Sequence, residues 1–132
     1  MDDKSIELAK YRLERAKEDL KDAELLYKNN SLLSANNRAY YSIFHSIRAV
    51  LSIERVDFKR HKDVTAYFNK NYVHTGIFPK IIGKKIGQAF QIWEDSDYDD
   101  QFIADASQTN NQIETAKELI DLVEKYIKDK EK

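Results

Sequence analysis

The chain has 132 residues, 42% of them hydrophobic, and carries 22 Lys and Arg against 23 Asp and Glu for a net charge of -1. That composition predicts one domain with one core and no global field that would mark a nucleic-acid binder, so any RNA contact must come from a local patch. Cysteine is absent, which excludes a disulfide framework, a thiolate nucleophile and a cysteine zinc cluster. With no signal peptide and no long apolar run, the chain reads as a soluble cytoplasmic protein that makes no membrane contact.

Only three Gly and one Pro punctuate the sequence, and no sustained two-residue alternation occurs. The expected fold is therefore all-α, an antiparallel up-and-down bundle of four long helices plus one short helix, forming a single domain over residues 1–132. The first helix is expected from Ser5 to Lys28, because Ile6, Ala9, Leu13, Ala16, Leu20, Ala23 and Tyr27 recur three and four apart; its far face carries pairs such as Glu14 with Lys17 and Glu18 with Lys21. After the Asn29-Asn30-Ser31 break, a second helix capped by Ser31 or Ser34 continues to Ile53. A short third helix covers His61 to Asn69, and Asn71 to Phe78 is a loop hinged at Gly76. Pro79 opens a fourth helix through Ile81, Ile82, Ile86, Phe90 and Trp93, which the acidic run Asp95 to Asp100 ends. The fifth, capped by Ser107 or Thr109, carries the seam Ile113, Ala116, Ile120, Val123 and Ile127 and frays in its KDKEK tail.

The second helix carries the chemistry. Ala39, Ile43, Phe44, Ile47, Val50 and Leu51 must face a core, while Arg38, Tyr41, His45 and Arg48 recur three, four and three residues apart and make one polar line on its flank. A cation, a phenol, an imidazole and a second cation suit an anion or a specific partner better than a plain solvated face does. Tyr40, Phe44, Tyr67, Phe68, Phe90 and Trp93 read as core, and His74 as a surface residue. On the fourth helix, Gly83 and Gly87 each cost up to roughly 1 kcal/mol relative to Ala, which close approach by another helix, of this chain or of a second copy, would offset.

Several catalytic templates fail. The alternating Asp95, Asp97 and Asp99 resemble the start of a calcium loop, but Asp100 stands where the turn needs Gly and Ala106 where a bidentate Glu belongs. The same carboxylates lack the Gly-Ser phosphate loop of a nucleotidyltransferase, and no zinc-protease, phosphate-loop or dinucleotide motif occurs. Asp99 and Asp100 suit the positive end of the last helix instead. What survives is Arg plus His, as Arg38 with His45 and as Arg55 with His61. A neutral imidazole can take a proton from a ribose 2′-hydroxyl while a guanidinium stabilises the phosphorane, so such a pair could cleave RNA with no metal or other cofactor. The alternative is a histidine hydrogen-bonded at a helix interface.

The string NRAYYSIFHSIRAVL, a histidine some ten residues later, then YVHTGIFPK, AFQIWEDSDYDD and a long closing helix resemble the HEPN superfamily, in particular its small single-domain prokaryotic branch. The resemblance implies a helical bundle, a homodimer, and pairing with a minimal nucleotidyltransferase in toxin–antitoxin or defence systems; active relatives are metal-independent endoribonucleases. Carried over residue by residue, it matches Arg38, Tyr40, Tyr41, Phe44 and His45 and makes Arg38 and His45 the catalytic pair; Tyr41 and Arg48 of the stripe, with His61, are then expected to bind RNA or nucleotide. It also marks Tyr98, in the DSDYDD junction, as an acceptor for nucleotide transferred by the partner enzyme. The junction, where catalytic relatives place their Arg–His motif, holds neither residue here. A second reading therefore stands beside the first: a non-catalytic dimeric module that scaffolds a nucleotidyltransferase, with the stripe as buried hydrogen-bonded glue.

Overall fold

A computed structural model describes residues 3–132. It contains five α-helices in chain order: α1 (Asp3–Lys28), α2 (Leu32–Ile53), α3 (His61–Phe68), α4 (Lys80–Tyr98) and α5 (Ala106–Glu131), with a π-helical turn, Asn69–Val73, continuing α3. Among the described residues none lies in a strand, and no helix is long and apolar enough to cross a membrane.

The central pair is α1 against α2. The connection is short because Asn30 takes a left-handed conformation (φ 61°) and the Ser31 amide returns to the Leu26 carbonyl at 2.8 Å, a cap that asparagine tolerates better than most residues. Ser31 is the N-cap of α2, though its side chain makes no capping bond. Ala9, Ala16, Ala39 and Ala49 are fully buried, and such small side chains let the two helices approach closely. Ser42 Oγ accordingly donates to the Ala16 carbonyl at 2.7 Å. α5 closes the bundle, its Ala116, Leu119, Ile120, Val123 and Ile127 joining Leu13, Ile43, Ile47, Val50 and Leu51 in one core.

The expected elements hold with instructive differences. Where a loop is expected after Asn69, the backbone runs on as the π-helical turn to Val73, and Gly76 (φ 85°) then makes the hinge. The backbone stays helical beside α4 because Gly83 leaves room for it: a Cβ at Gly83 would stand 2.8 Å from Val73 Cγ1 and 3.3 Å from Asn69 Oδ1. The close approach is thus made within one chain, and α4 passes through Gly83 unbroken; at Gly87 the space is open.

The acidic run does not stop α4 at Asp95. Helical bonding continues to Tyr98, aided by Gln91 Nε2 donating to Asp95 at 2.9 Å, a four-residue spacing that stabilises a helix. The N-cap of α5 is Asp105, which accepts from the Ser107 amide, rather than Ser107 or Thr109; aspartate there also favours the positive helix end. At the other end α5 is helical to Glu131, which Lys10 of α1 meets at 2.7 Å.

Candidate functional site on the α1 and α2 face

The polar stripe of α2 leans on α1. Asp19 of α1 has a side chain only 7% exposed, and Arg38 Nη1 reaches its Oδ1 at 3.0 Å. Its other oxygen, Oδ2, is buried without a hydrogen-bond partner and lies 3.6 Å from His45 Nε2, too far for a hydrogen bond as it stands. Arg38 remains partly exposed, its guanidinium 5.1 Å from the Tyr41 ring centroid, a cation–π distance. One turn further along, Arg48 grips Asp57 through Nη2 at 2.8 Å and Nε at 3.3 Å. Arg12 of α1 completes this end, donating to Ser52 Oγ at 2.6 Å and to the Arg48 carbonyl at 3.3 Å.

The fields of four guanidiniums, those of Arg38 and Arg48 on α2 and of Arg12 and Arg15 on α1, act on one imidazole. Burial and the fields of Arg15, Arg48, Arg12 and Arg38 push His45 down to about 4, so it is neutral at physiological pH. Burial raises the Asp19 carboxyl, and Arg38 and Arg15 only partly offset that. Burial also works to raise Asp57, but its hydrogen bonds from Arg48 and from the Phe58 amide prevail and hold it below the usual range. Positive charge in excess, set around a neutral base on a half-open face, is an arrangement that accepts an anion.

Beside the cluster lies an aromatic layer. His61 sits face to face between Phe44 (3.9 Å between centroids) and Trp93 (4.5 Å), and Trp93 stacks in turn on Tyr40 at 4.7 Å. His61 Nδ1 and the Tyr40 hydroxyl are hydrogen-bonded at 2.9 Å. Burial, seconded by Arg48, lowers the His61 pKa, and burial raises that of Tyr40. Tyr41 joins the two regions, its ring 6.3 Å from His45 and 5.9 Å from His61. Tyr40, Phe44 and Phe68 are core residues, with Tyr67, Phe90 and Trp93 packed against them.

Of the sequence-predicted residues, Arg38, Tyr41, His45 and Arg48 share one face, and His61 is one ring away. The pair Arg55 and His61 is not brought together: Arg55, in a left-handed conformation (φ 58°), donates to Ser5 Oγ on α1 at 3.2 Å. Tyr98 is the last residue of α4 and 80% exposed; His74 is exposed.

Sequence reasoning missed Arg12, Arg15 and Asp19 as members of the site. They stand three and four apart on α1, beside the apolar seam, where they read as solvated charge. The available signal was that Asp19 directly flanks the seam residue Leu20 while repeating the spacing of Ala16.

Comparison with known proteins agrees with this architecture. The HEPN domain family model matches residues 9–126. A "UPF0332 protein" of Thermotoga maritima is 35% identical over 122 residues, 92% of each chain. Two Methanocaldococcus jannaschii proteins carry the name "Putative toxin": one is 34% identical over 65% of this chain and 64% of its own length, the other 29% identical over 66% and 59%. The extent of the family match, together with the near full-length relative, shows that this chain belongs to the HEPN domain family.

Proposed function

We propose that the protein is a toxin-type HEPN protein that binds the phosphodiester backbone of RNA on the α1 and α2 face and cleaves it without a metal. The observation that carries this reading is the line of Arg38, Tyr41, His45 and Arg48 along one face of α2, with Arg38 over the Tyr41 ring and that ring beside His45. In the proposed reaction His45 takes the proton of a ribose 2′-hydroxyl, and the 2′ oxygen attacks phosphorus. The bond to the 5′ oxygen breaks, that oxygen collects a proton from solvent, and Arg38 stabilises the charge on the phosphorane. An arriving phosphate offsets the arginine field and raises the basicity of His45 back towards its ordinary value, where a base is most effective. The names of the M. jannaschii relatives support the toxin assignment.

Incubation with RNA in EDTA tests the reading. Cleavage should persist and leave a 2′,3′-cyclic phosphate, and His45→Ala or Arg38→Ala should each abolish it. Dependence on magnesium, or activity that survives both replacements, would refute it.

One observation favours a second reading, a non-catalytic dimer that holds a minimal nucleotidyltransferase: Arg38 pairs with Asp19, which His45 faces at 3.6 Å, and Arg48 pairs with Asp57, inside the chain. Gly83 is used within the chain and gives the dimer no support, which leaves the open face at Gly87. This reading expects RNA to remain intact, a dimer by light scattering at micromolar concentration, and nucleotide on Tyr98, which stands exposed among Asp95, Asp97, Asp99 and Asp100.

A further inference from the structure

Asp19 is the least expected member of the site. It is a carboxylate on the inward flank of α1, 5% exposed, with one oxygen committed to Arg38 at 3.0 Å and the other left without a partner. Facing that idle oxygen is His45 Nε2, 3.6 Å away. A buried acceptor facing a ring nitrogen favours the tautomer that places a proton between them, and polar contacts that are long in a free enzyme tighten when ligand binds.

We propose that Asp19 is the positioning residue of the arginine–histidine site: through Oδ1 it aims Arg38, and through Oδ2 it holds neutral His45 as the Nε2–H tautomer, leaving Nδ1 as the basic nitrogen. The other charges that act on this pair are Arg12, Arg15 and Asp22 of α1 together with Arg38 and Arg48 of α2. These are cations, which offer no acceptor, and Asp22, which is exposed, so the buried carboxylate at Nε2 is Asp19. The catalytic consequence rests on the ribonuclease reading; the tautomer does not.

The substitution Asp19→Asn distinguishes this role from simple packing. Arg38 has only donors, so it draws the Asn carbonyl oxygen to itself and turns the Asn amide group, also a donor, towards His45. His45 must then present a lone pair at Nε2 and carry its proton on Nδ1. The ring nitrogens of histidine labelled with nitrogen-15 report the tautomer directly by NMR in the intact protein near pH 7.

The wild type is expected to show His45 as Nε2–H and the Asp19→Asn protein as Nδ1–H, with unchanged far-ultraviolet circular dichroism. If the protein cleaves RNA, the same variant should lose roughly a hundredfold or more in kcat with RNA affinity little changed. A wild-type His45 protonated on Nδ1 would overturn the proposal without recourse to any variant, as would a folded Asp19→Asn protein that keeps the Nε2–H form. A tautomer exchange in a protein that leaves RNA intact would uphold the positioning by Asp19 and refute the ribonuclease reading separately.

Discussion

The depressed basicity of His45 makes stability depend on pH in a way that isolates this one side chain. The imidazole has a pKa of about 4 in the folded protein against an ordinary value of 6.5, and its side chain is 18% exposed. Between these values the unfolded chain binds a proton that the folded chain refuses, so stability is complete above pH 6.5 and is lost progressively as pH falls towards 4. Evaluating the linkage at two pH values gives a loss of about 2 kcal/mol on going from pH 7 to pH 5, a sizeable share of the total for a domain of this size. Asp19 opposes this trend, because its raised carboxyl takes up a proton more readily in the folded state. The measurement is therefore a difference: urea denaturation of the wild type and of His45→Gln at pH 7 and pH 5. The wild type should lose more stability than the variant by roughly that amount, whatever the variant's own offset. Equal pH dependence in the two proteins would mean that His45 titrates normally, and the arginine field around it would have to be rejected.

Three further outcomes are expected. Gly83→Ala should destabilise by about 1–2 kcal/mol despite the better helix propensity of Ala, because the new Cβ meets stiff, buried Val73 at 2.8 Å; Gly87→Ala, with open space around it, should stabilise by about 0.5–1 kcal/mol. Thermal melts of the pair check the opposite signs, and a stabilising Gly83→Ala would contradict the close approach of α4 to the π-helical turn. Asp105→Ala should cost about 1 kcal/mol by removing the cap of α5 at the Ser107 amide, read by the same melts. Co-expression with a neighbouring nucleotidyltransferase followed by peptide mapping should find nucleotide on Tyr98 and none on Tyr98→Phe; equal modification of the variant would exclude this acceptor.

Much of the fold can be read from local pattern. The seams of α1, α2 and α5, the break at Asn29-Asn30-Ser31 and the hinge at Gly76 all depend on residues within a few positions of one another, where periodicity and backbone preference act directly. The line from Arg38 to Arg48 follows for the same reason, since one helix turn brings its members together. Local pattern and structure part where local rules compete: the carboxylates from Asp95 onward read as a stop, yet Gln91 and the helical bonding of Asp99 to Asp95 carry α4 to Tyr98. From Asn71 the local pattern reads as a loop, but packing against Gly83 keeps the backbone in a helical turn to Val73.

What surrounds the stripe was decided only by tertiary structure. Which side of α1 faces His45 depends on how two helices rotate about their own axes as they pack, and the sequence spacing of each leaves that rotation open. The alanine-lined approach that brings Ser42 to the Ala16 carbonyl turns Asp19 inward, where it meets Arg38 and His45, and adds Arg12 and Arg15 to the same face. A charge beside an apolar seam looks solvated in sequence because periodicity records which residues are apolar, and a buried carboxylate is stable only through partners some twenty residues away.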